Sequence, residues 1–165
     1  MTPRVEFVVA SPRWRAALSA RSLARETIAV AARECGVALA PGAELCVHLA
    51  DDEHIRALNA RWRGLDKPTN VLSFPAAEPA DLATARLIGD VVLAFETVAR
   101  EAADERKPLA DHYRHLVAHG FLHLIGFDHD NEADAERMEA METRILARLG
   151  VADPYRVDEA ADAQP

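Results

Sequence analysis

Short apolar runs alternate with longer amphipathic segments along this chain, and the two patterns predict strands and helices in turn. Four short runs rich in β-branched and aliphatic residues are bounded by turn-forming residues, which is typical of strands. They cover residues 5–9, 45–49, 71–74 and 87–94. Residues 76–85, which follow Pro75, are interpreted as a loop.

Five longer segments repeat apolar residues near the helical spacing and therefore predict α-helices. The first lies between Pro12 and Gly36, and the second begins at the capping pair Asp51-Asp52 and continues through Trp62. The others cover residues 95–105, 109–124 and 132–148. Strands interleaved with helices, and two helices at the end, predict one α+β domain with a roughly four-stranded sheet packed by about five helices.

The composition is typical of a globular protein with one hydrophobic core. Of the 165 residues, 50% are hydrophobic and 28% are charged, and no apolar run approaches the length of a membrane span. The amino terminus does not resemble a signal peptide, and Cys35 and Cys46 form no C-x-x-C motif, so we expect free thiols in a reducing cytoplasm. We also expect a single domain over residues 1–155 and a disordered acidic tail over residues 156–165.

Charge is unevenly distributed along the chain, and this changes what its net value of −8 implies. Residues 1–67 carry 10 basic and 8 acidic side chains, whereas residues 68–165 carry 9 and 19. An acidic protein is a poor general binder of nucleic acid, but a local basic region can still form a binding surface. Net charge alone therefore does not exclude a nucleic-acid partner.

Three histidines close together in the sequence form the strongest candidate for a functional site. They are His119, His123 and His129, in the run H-G-F-L-H-L-I-G-F-D-H. On a helix the first two are one turn apart and share a face, so both imidazoles can reach one ion. A continuing helix would carry His129 roughly 9 Å further along its axis. Gly126 lets the chain leave the helix and reverse, so the spacing predicts a three-histidine metal site.

The residue types in and around this motif indicate which metals it could bind and which class of site it forms. Imidazole suits zinc, copper, iron or nickel, and three histidines without a cysteine leave a position open for water, as in catalytic zinc sites. The same spacing occurs in metzincin peptidases, whose general base is a glutamate directly after the first histidine. Here this position is Gly120, which argues against peptide hydrolysis. His115, one turn before His119, is expected to support the site rather than to bind the metal.

Two segments resemble the YbeY family of bacterial endoribonucleases, which are ribosomal-RNA maturation factors. The first, L-N-A-R-W-R-G-L-D-K-P-T-N-V-L-S-F-P (58–75), is similar to the family signature L-N-x-x-[YW]-R-x-x-D-x-P-T-N-V-L-S-F-P. The second, from His119 to His129, resembles the family's H-G-x-L-H-L-x-G-[YF]-D-H. Weaker similarities extend the match over most of residues 45–155, namely I-G-D (88–90), M-E-x-x-E (138–142) and D-P-Y (153–155).

The resemblance implies a hydrolase of single-stranded RNA with one Zn²⁺ per chain, held by His119, His123 and His129. It also implies an important arginine at Arg63, whose planar guanidinium can hold a phosphate through two hydrogen bonds. A surface salt bridge from Arg63 to Asp66 is the alternative. The proton acceptor stays open, because a metal-bound water could ionise without a protein base or a phosphate oxygen could take the proton.

Two residues beside these motifs have open roles. Trp62 could stack on an RNA base, although its helical spacing from Leu58 favours a place in the core. Asp128 could orient an imidazole or cap the turn after Gly126.

The leading hypothesis is a zinc-dependent, single-strand-specific endoribonuclease that acts in ribosomal-RNA maturation, at the 3′ end of 16S RNA, and in ribosome biogenesis. Its partners would be ribosomal RNA and the small ribosomal subunit or its associated proteins, and neither DNA nor a membrane is expected. A non-catalytic ribosome assembly factor stabilised by zinc is the first alternative. A metallopeptidase, disfavoured by Gly120, is the second.

Overall fold

The computed structural model of the protein describes residues 2–156, and its elements follow the chain in the predicted order. The strands are β1 (Arg4–Val9), β2 (Glu44–Ala50), β3 (Val71–Pro75) and β4 (Leu87–Ala94). The helices are α1 (Arg13–Ala17), α2 (Ala20–Cys35), α3 (Asp52–Arg63), α4 (Phe95–Asp104), α5 (Leu109–Leu124) and α6 (Glu132–Arg148). The predicted loop at 76–85 contains one short 3₁₀ turn, Pro79–Asp81. The predicted α+β class and all four predicted strands are confirmed.

The first predicted helix is in fact two helices, which is the main difference from the sequence prediction. α1 ends before Leu18, whose extended backbone (φ −163°, ψ 167°) breaks the helical path, and α2 begins after Ser19. On α1, Trp14 is fully buried and its indole N–H donates to the carbonyl of Ala50 at 2.8 Å. The break lets α1 contact the end of β2 while α2 packs against α5 and α6.

The sheet has the strand order β1-β2-β4-β3 and separates two cores of unequal size. β1, β2 and β4 are parallel, and β3 is an antiparallel edge strand beside β4. The larger core lies between one face of the sheet and the helices α2, α5 and α6, and it includes Ile28, Val47, Leu93, Phe121 and Ile145. The smaller core lies under α3 on the opposite face, and it includes Ala50, Ile55, Leu72, Val92 and Ala94.

The helix that carries the histidine motif, α5, has a central position, because it packs against α2, α4, α6, β3 and β4. It lies close against the sheet at Gly120, where a Cβ would lie 2.7 Å from Cγ1 of Val91. The hydroxyl of Ser73 on β3 donates to the carbonyl of Gly120 at 3.1 Å. Glycine is therefore required at this position for α5 to lie close to the sheet.

The remaining expectations about the chain can be compared with residues 2–156 only. Cys35 and Cys46 are both free thiols, as expected. None of the helices in this part of the chain combines the length and apolar character needed to span a bilayer. Apart from Arg156, the predicted acidic tail lies outside the described residues.

Candidate metal centre

The three predicted histidines converge at the carboxyl end of α5. The Nε2 atoms of His119 and His123 are 3.1 Å apart. The ring of His129 has its centroid 5.8 Å from that of His119 and 4.9 Å from that of His123. One ligand nitrogen from each ring lies within 4.8 Å of the other two. A tetrahedral ion with ordinary zinc–imidazole bonds separates two of its nitrogens by about 3.4 Å, so the three side chains could hold one metal ion.

The turn after α5 brings His129 to the other two histidines. The N–H of Phe127 donates to the carbonyl of Leu122 at 2.9 Å, and the N–H of Gly126 donates to the carbonyl of His123 at 3.2 Å. These two hydrogen bonds form a Schellman motif, which ends a helix and reverses the chain. Gly126 has φ +105°, a conformation that L side chains rarely adopt. The predicted role of Gly126 in ending the helix is confirmed.

A buried carboxylate on α6, Glu142, fixes the orientation of His119. Its Oε1 accepts a hydrogen bond from Nδ1 of His119 at 2.7 Å, and its Oε2 accepts one from Nε2 of His115 at 2.9 Å. The hydroxyl of Tyr155 donates to the same carboxylate, and Glu142 is fully buried. Because Nδ1 of His119 carries the donated proton, its Nε2 is free to bind a metal. His115 therefore supports the site, as expected, through the carboxylate that it shares with His119.

The protonation states of these groups suit a cation. Burial alone would raise the pKa of Glu142, but hydrogen bonds from His115, His119 and Tyr155 outweigh it and lower this pKa to about 2. Glu142 is therefore an anion at neutral pH and can balance part of the charge of a bound cation. Burial, assisted by repulsion from His119 and His129, lowers the pKa of His123 to about 4. This imidazole is therefore neutral at physiological pH, which is the form that binds metals.

A cleft of about 720 Å³ opens beside His123. One wall is formed by Pro75 at the end of β3 and the chain that follows it to Asp81, and the other by the turn from Gly126 to Asp128. Glu78, Asp81 and Asp128 line it, and the described residues of its walls include no lysine or arginine. The cleft is therefore negatively charged, and a polyanion is repelled from it until a cation is bound.

Arg63, the predicted catalytic arginine, is the last residue of α3 and is exposed to solvent. Within residues 2–156 it forms no salt bridge. Asp66 pairs instead with Arg56, whose Nε lies 2.9 Å from Oδ1 of the aspartate. The alternative reading of Arg63 as the partner of Asp66 is therefore wrong, and its guanidinium is available to another anion. A catalytic role for Arg63 stays a prediction.

Contacts of the residues next to Arg63 place the end of α3 near the cleft. The ring of Trp62 lies 6.4 Å, centroid to centroid, from that of Phe74, and Phe74 precedes Pro75 in the cleft wall. The end of α3 therefore lies at the edge of the sheet that borders the cleft. Trp62 is 61% exposed, with the guanidinium carbon of Arg61 5.0 Å from its ring. The expectation that Trp62 packs in the core is wrong.

Sequence reasoning missed Glu142 as a residue of this site. The signal was its place on the inner face of α6, four residues after Met138 and three before Ile145, both of which are buried. A glutamate on an apolar helix face requires a buried partner.

Asp128 takes the second of its two open roles, because its Oδ1 accepts a hydrogen bond from the backbone N–H of His129 at 2.7 Å and so caps the turn.

Fold and site together define an α+β protein in which three imidazoles that could hold one metal ion lie beside a cleft. Residues 13–150 match the sequence profile described as Endoribonuclease YbeY, and the chain belongs to this family.

Relatives at high identity agree with this assignment. An Endoribonuclease YbeY of Rhodopseudomonas palustris (strain BisA53) is 48% identical over 163 residues, which cover 97% of this chain and 94% of the relative. Another, from Rhodopseudomonas palustris strain CGA009, is 52% identical over 155 residues, covering 93% and 81%. The solution structure of TM1509 from Thermotoga maritima has the same fold, with a TM-score of 0.55 and 22% identity over 94% of this chain and 99% of that one.

Proposed function

We propose that this protein is a metal-dependent endoribonuclease that cleaves single-stranded RNA. The observation that carries the proposal is the convergence of His119, His123 and His129, with Glu142 fixing the first of them, in a chain whose relatives are named endoribonucleases. The donor set suits one Zn²⁺ per chain, which is the cofactor we propose.

Each residue of the site has a separate task in this proposal. The three histidines would hold the cation, and when bound it would stabilise negative charge that develops on the phosphate during cleavage. Glu142 keeps His119 in the tautomer that can bind a metal. Arg63 would hold a non-bridging phosphate oxygen through its guanidinium. Gly120 offers no proton acceptor, and because the helix lies against the sheet there, no larger side chain could take that role.

The charge distribution suggests how RNA would lie on the protein. The acidic cleft repels phosphate, so RNA binding would depend on the cation and on basic residues at the end of α3 and in the turn after it, which are Arg61, Arg63 and Lys67. Trp62 lies among them with its ring exposed, and an exposed indole can stack on an unpaired base. The affinity for RNA, and not only the cleavage rate, should therefore fall when the metal is removed.

An RNA cleavage assay on the purified chain tests the proposal. Wild-type protein should cut single-stranded RNA, and excess chelator should abolish cleavage until zinc is restored. His123→Ala and Arg63→Ala should each reduce the rate by at least about 100-fold, as expected for groups that stabilise transition-state charge. His54→Ala and Arg15→Ala, which replace exposed residues outside the site, are the matched controls and should leave the rate unchanged.

The same preparations separate the alternatives. Cleavage that persists in His123→Ala would show a contaminating nuclease and overturn the proposal. A non-catalytic assembly factor stabilised by zinc would show no RNA cleavage. Chelator would unfold such a protein, and a melting curve would detect the unfolding. Turnover of a peptide library without RNA cleavage would indicate a peptidase instead.

We further propose that the substrate is ribosomal RNA in the cytoplasm, with action at the 3′ end of 16S RNA together with the small ribosomal subunit or its proteins. The resemblance of residues 58–75 and 119–129 to YbeY endoribonucleases supports this part of the proposal. In a bacterium lacking its own YbeY, expression of this chain should remove 16S precursors with extended 3′ ends, whereas the His123→Ala chain should not. Equal precursor levels with both chains would contradict it.

A further inference from the structure

The face of the sheet opposite α5 carries a second cluster of metal-binding side chains. Cys46 and His48 are two residues apart on β2, so both point to this face. Asp90 is the register partner of Cys46 on the neighbouring strand β4. The thiol sulfur, one imidazole nitrogen and one carboxylate oxygen all lie within 4.8 Å of one another. Nε2 of His48 and Oδ1 of Asp90 are 2.9 Å apart.

We propose that Cys46, His48 and Asp90 form a second metal site, which takes a divalent cation of borderline softness such as Zn²⁺. One sulfur, one nitrogen and one oxygen ligand are a combination that zinc accepts and that magnesium and calcium do not favour. The hydrogen bond between His48 and Asp90 does not involve the thiol of Cys46, whereas a cation would use all three groups. Such a site would join β2 to β4 across the centre of the sheet.

A cavity beside the cluster leaves room for a further ligand. Glu6 on β1 is the register partner of Cys46 on the other side of β2. Together with Cys46 and Asp90 it lines a cavity of about 150 Å³, which is large enough for an ion and a water. His48 and Asp90 have side chains that are 25% and 47% exposed, so a cation can reach them from solvent. Glu6 itself pairs with Arg4 at 3.4 Å, so a water is the fourth ligand that we propose.

The second site is separate from the histidine centre. Asp90 points to the face under α3, whereas its neighbour Val91 points to the opposite face, where it lies beneath Gly120 of α5. The sheet thus stands between the two clusters. The inference does not rest on the proposed nuclease function, and each can fail without the other.

Cobalt substitution tests the second site, because Co²⁺ replaces Zn²⁺ and a thiolate ligand gives it an intense near-ultraviolet absorption. The histidine centre has no sulfur, so this absorption reports only the sheet cluster. Titration of the full, reduced wild-type chain should bind two equivalents of Co²⁺ and produce the thiolate absorption. Cys46→Ser should lose that absorption and bind one equivalent, whereas the matched control Cys35→Ser should retain both.

The remaining equivalent in Cys46→Ser shows that this variant is folded, because it occupies the histidine centre. His48→Ala and Asp90→Asn should weaken the affinity of the second equivalent by at least about 10-fold, as expected for loss of one ligand. His119→Ala should keep the thiolate absorption. A wild-type chain without this absorption, or one whose absorption disappears in Cys35→Ser and persists in Cys46→Ser, would overturn the proposal.

Discussion

The residue that organises the candidate metal centre is not itself a proposed ligand. Glu142 is a buried anion, and such a group is stable only when its oxygens are fully hydrogen-bonded. Three donors meet this requirement, from His115, His119 and Tyr155. The hydrogen bonds that stabilise the buried charge of Glu142 also determine the tautomer of His119. Stability and the proposed metal binding would therefore depend on the same hydrogen bonds.

We predict that Glu142→Gln weakens metal binding by about 10- to 100-fold, the usual cost of losing a carboxylate behind a metal-binding histidine. Glutamine keeps the size of the side chain but removes the negative charge and one acceptor from His115 and His119. Competition with a chromophoric chelator measures the affinity. Glu139→Gln, an exposed position on the same helix, is the control and should bind like wild type. Equal affinities in the two variants would show that Glu142 has only a structural role.

At the scale of the elements, hydrophobic periodicity predicted the features that local sequence determines. It did not predict the features that depend on tertiary contacts. The strands and α5 were predictable because their apolar patterns and bounding residues lie within each segment. The break at Leu18 was not, because it depends on Trp14 reaching the carbonyl of Ala50, 36 residues away. The pairing of Glu142 with His119 was not predictable either, since it forms only when α6 packs on α5.

The contact between α5 and the sheet leads to a prediction about Gly120. We expect Gly120→Ala to lower the free energy of unfolding by about 1–3 kcal/mol, because its Cβ would lie 2.7 Å from Cγ1 of Val91. Denaturant unfolding of the chelator-treated chain measures this loss. Val91→Ala removes the obstructing methyl groups, so the double variant should be more stable than the sum of the two single effects predicts. Strict additivity would show that the helix moves away from the sheet instead.

At the scale of the whole molecule, the chain separates its charges and its candidate sites. The acidic cleft lies beside the histidine cluster, whereas the basic residues Arg61, Arg63 and Lys67 lie at the end of α3 and in the turn that leads to edge strand β3. A local basic region of this kind can attract a polyanion even on a protein whose net charge is negative. The net charge of −8 could not reveal it, because it depends on which elements meet at that edge.

The packing of the amino-terminal helices on α5 predicts a loss of stability at alkaline pH. Tyr113 is fully buried, its hydroxyl donates to the carbonyl of Ala20 at 2.8 Å, and burial raises its pKa above the ordinary value of 10.0. In the unfolded chain the phenol ionises near pH 10, whereas in the folded chain it stays protonated. Above that pH the folded state binds more protons than the unfolded state, so the free energy of unfolding falls as pH rises, by up to about 1.4 kcal/mol per pH unit.

Tyr113→Phe isolates this contribution because phenylalanine fills the same space and cannot ionise. At neutral pH the variant should be less stable than wild type by about 1 kcal/mol, since it lacks the hydrogen bond to Ala20. Above about pH 10 the two stability curves should converge, because only the wild type loses stability through this group. Urea unfolding with chelator present measures both curves in a Cys35→Ser background, which removes the thiol whose pKa burial raises to about 11. Parallel curves would show that Tyr113 becomes exposed before it ionises, and that α1 and α2 separate from α5 below that pH.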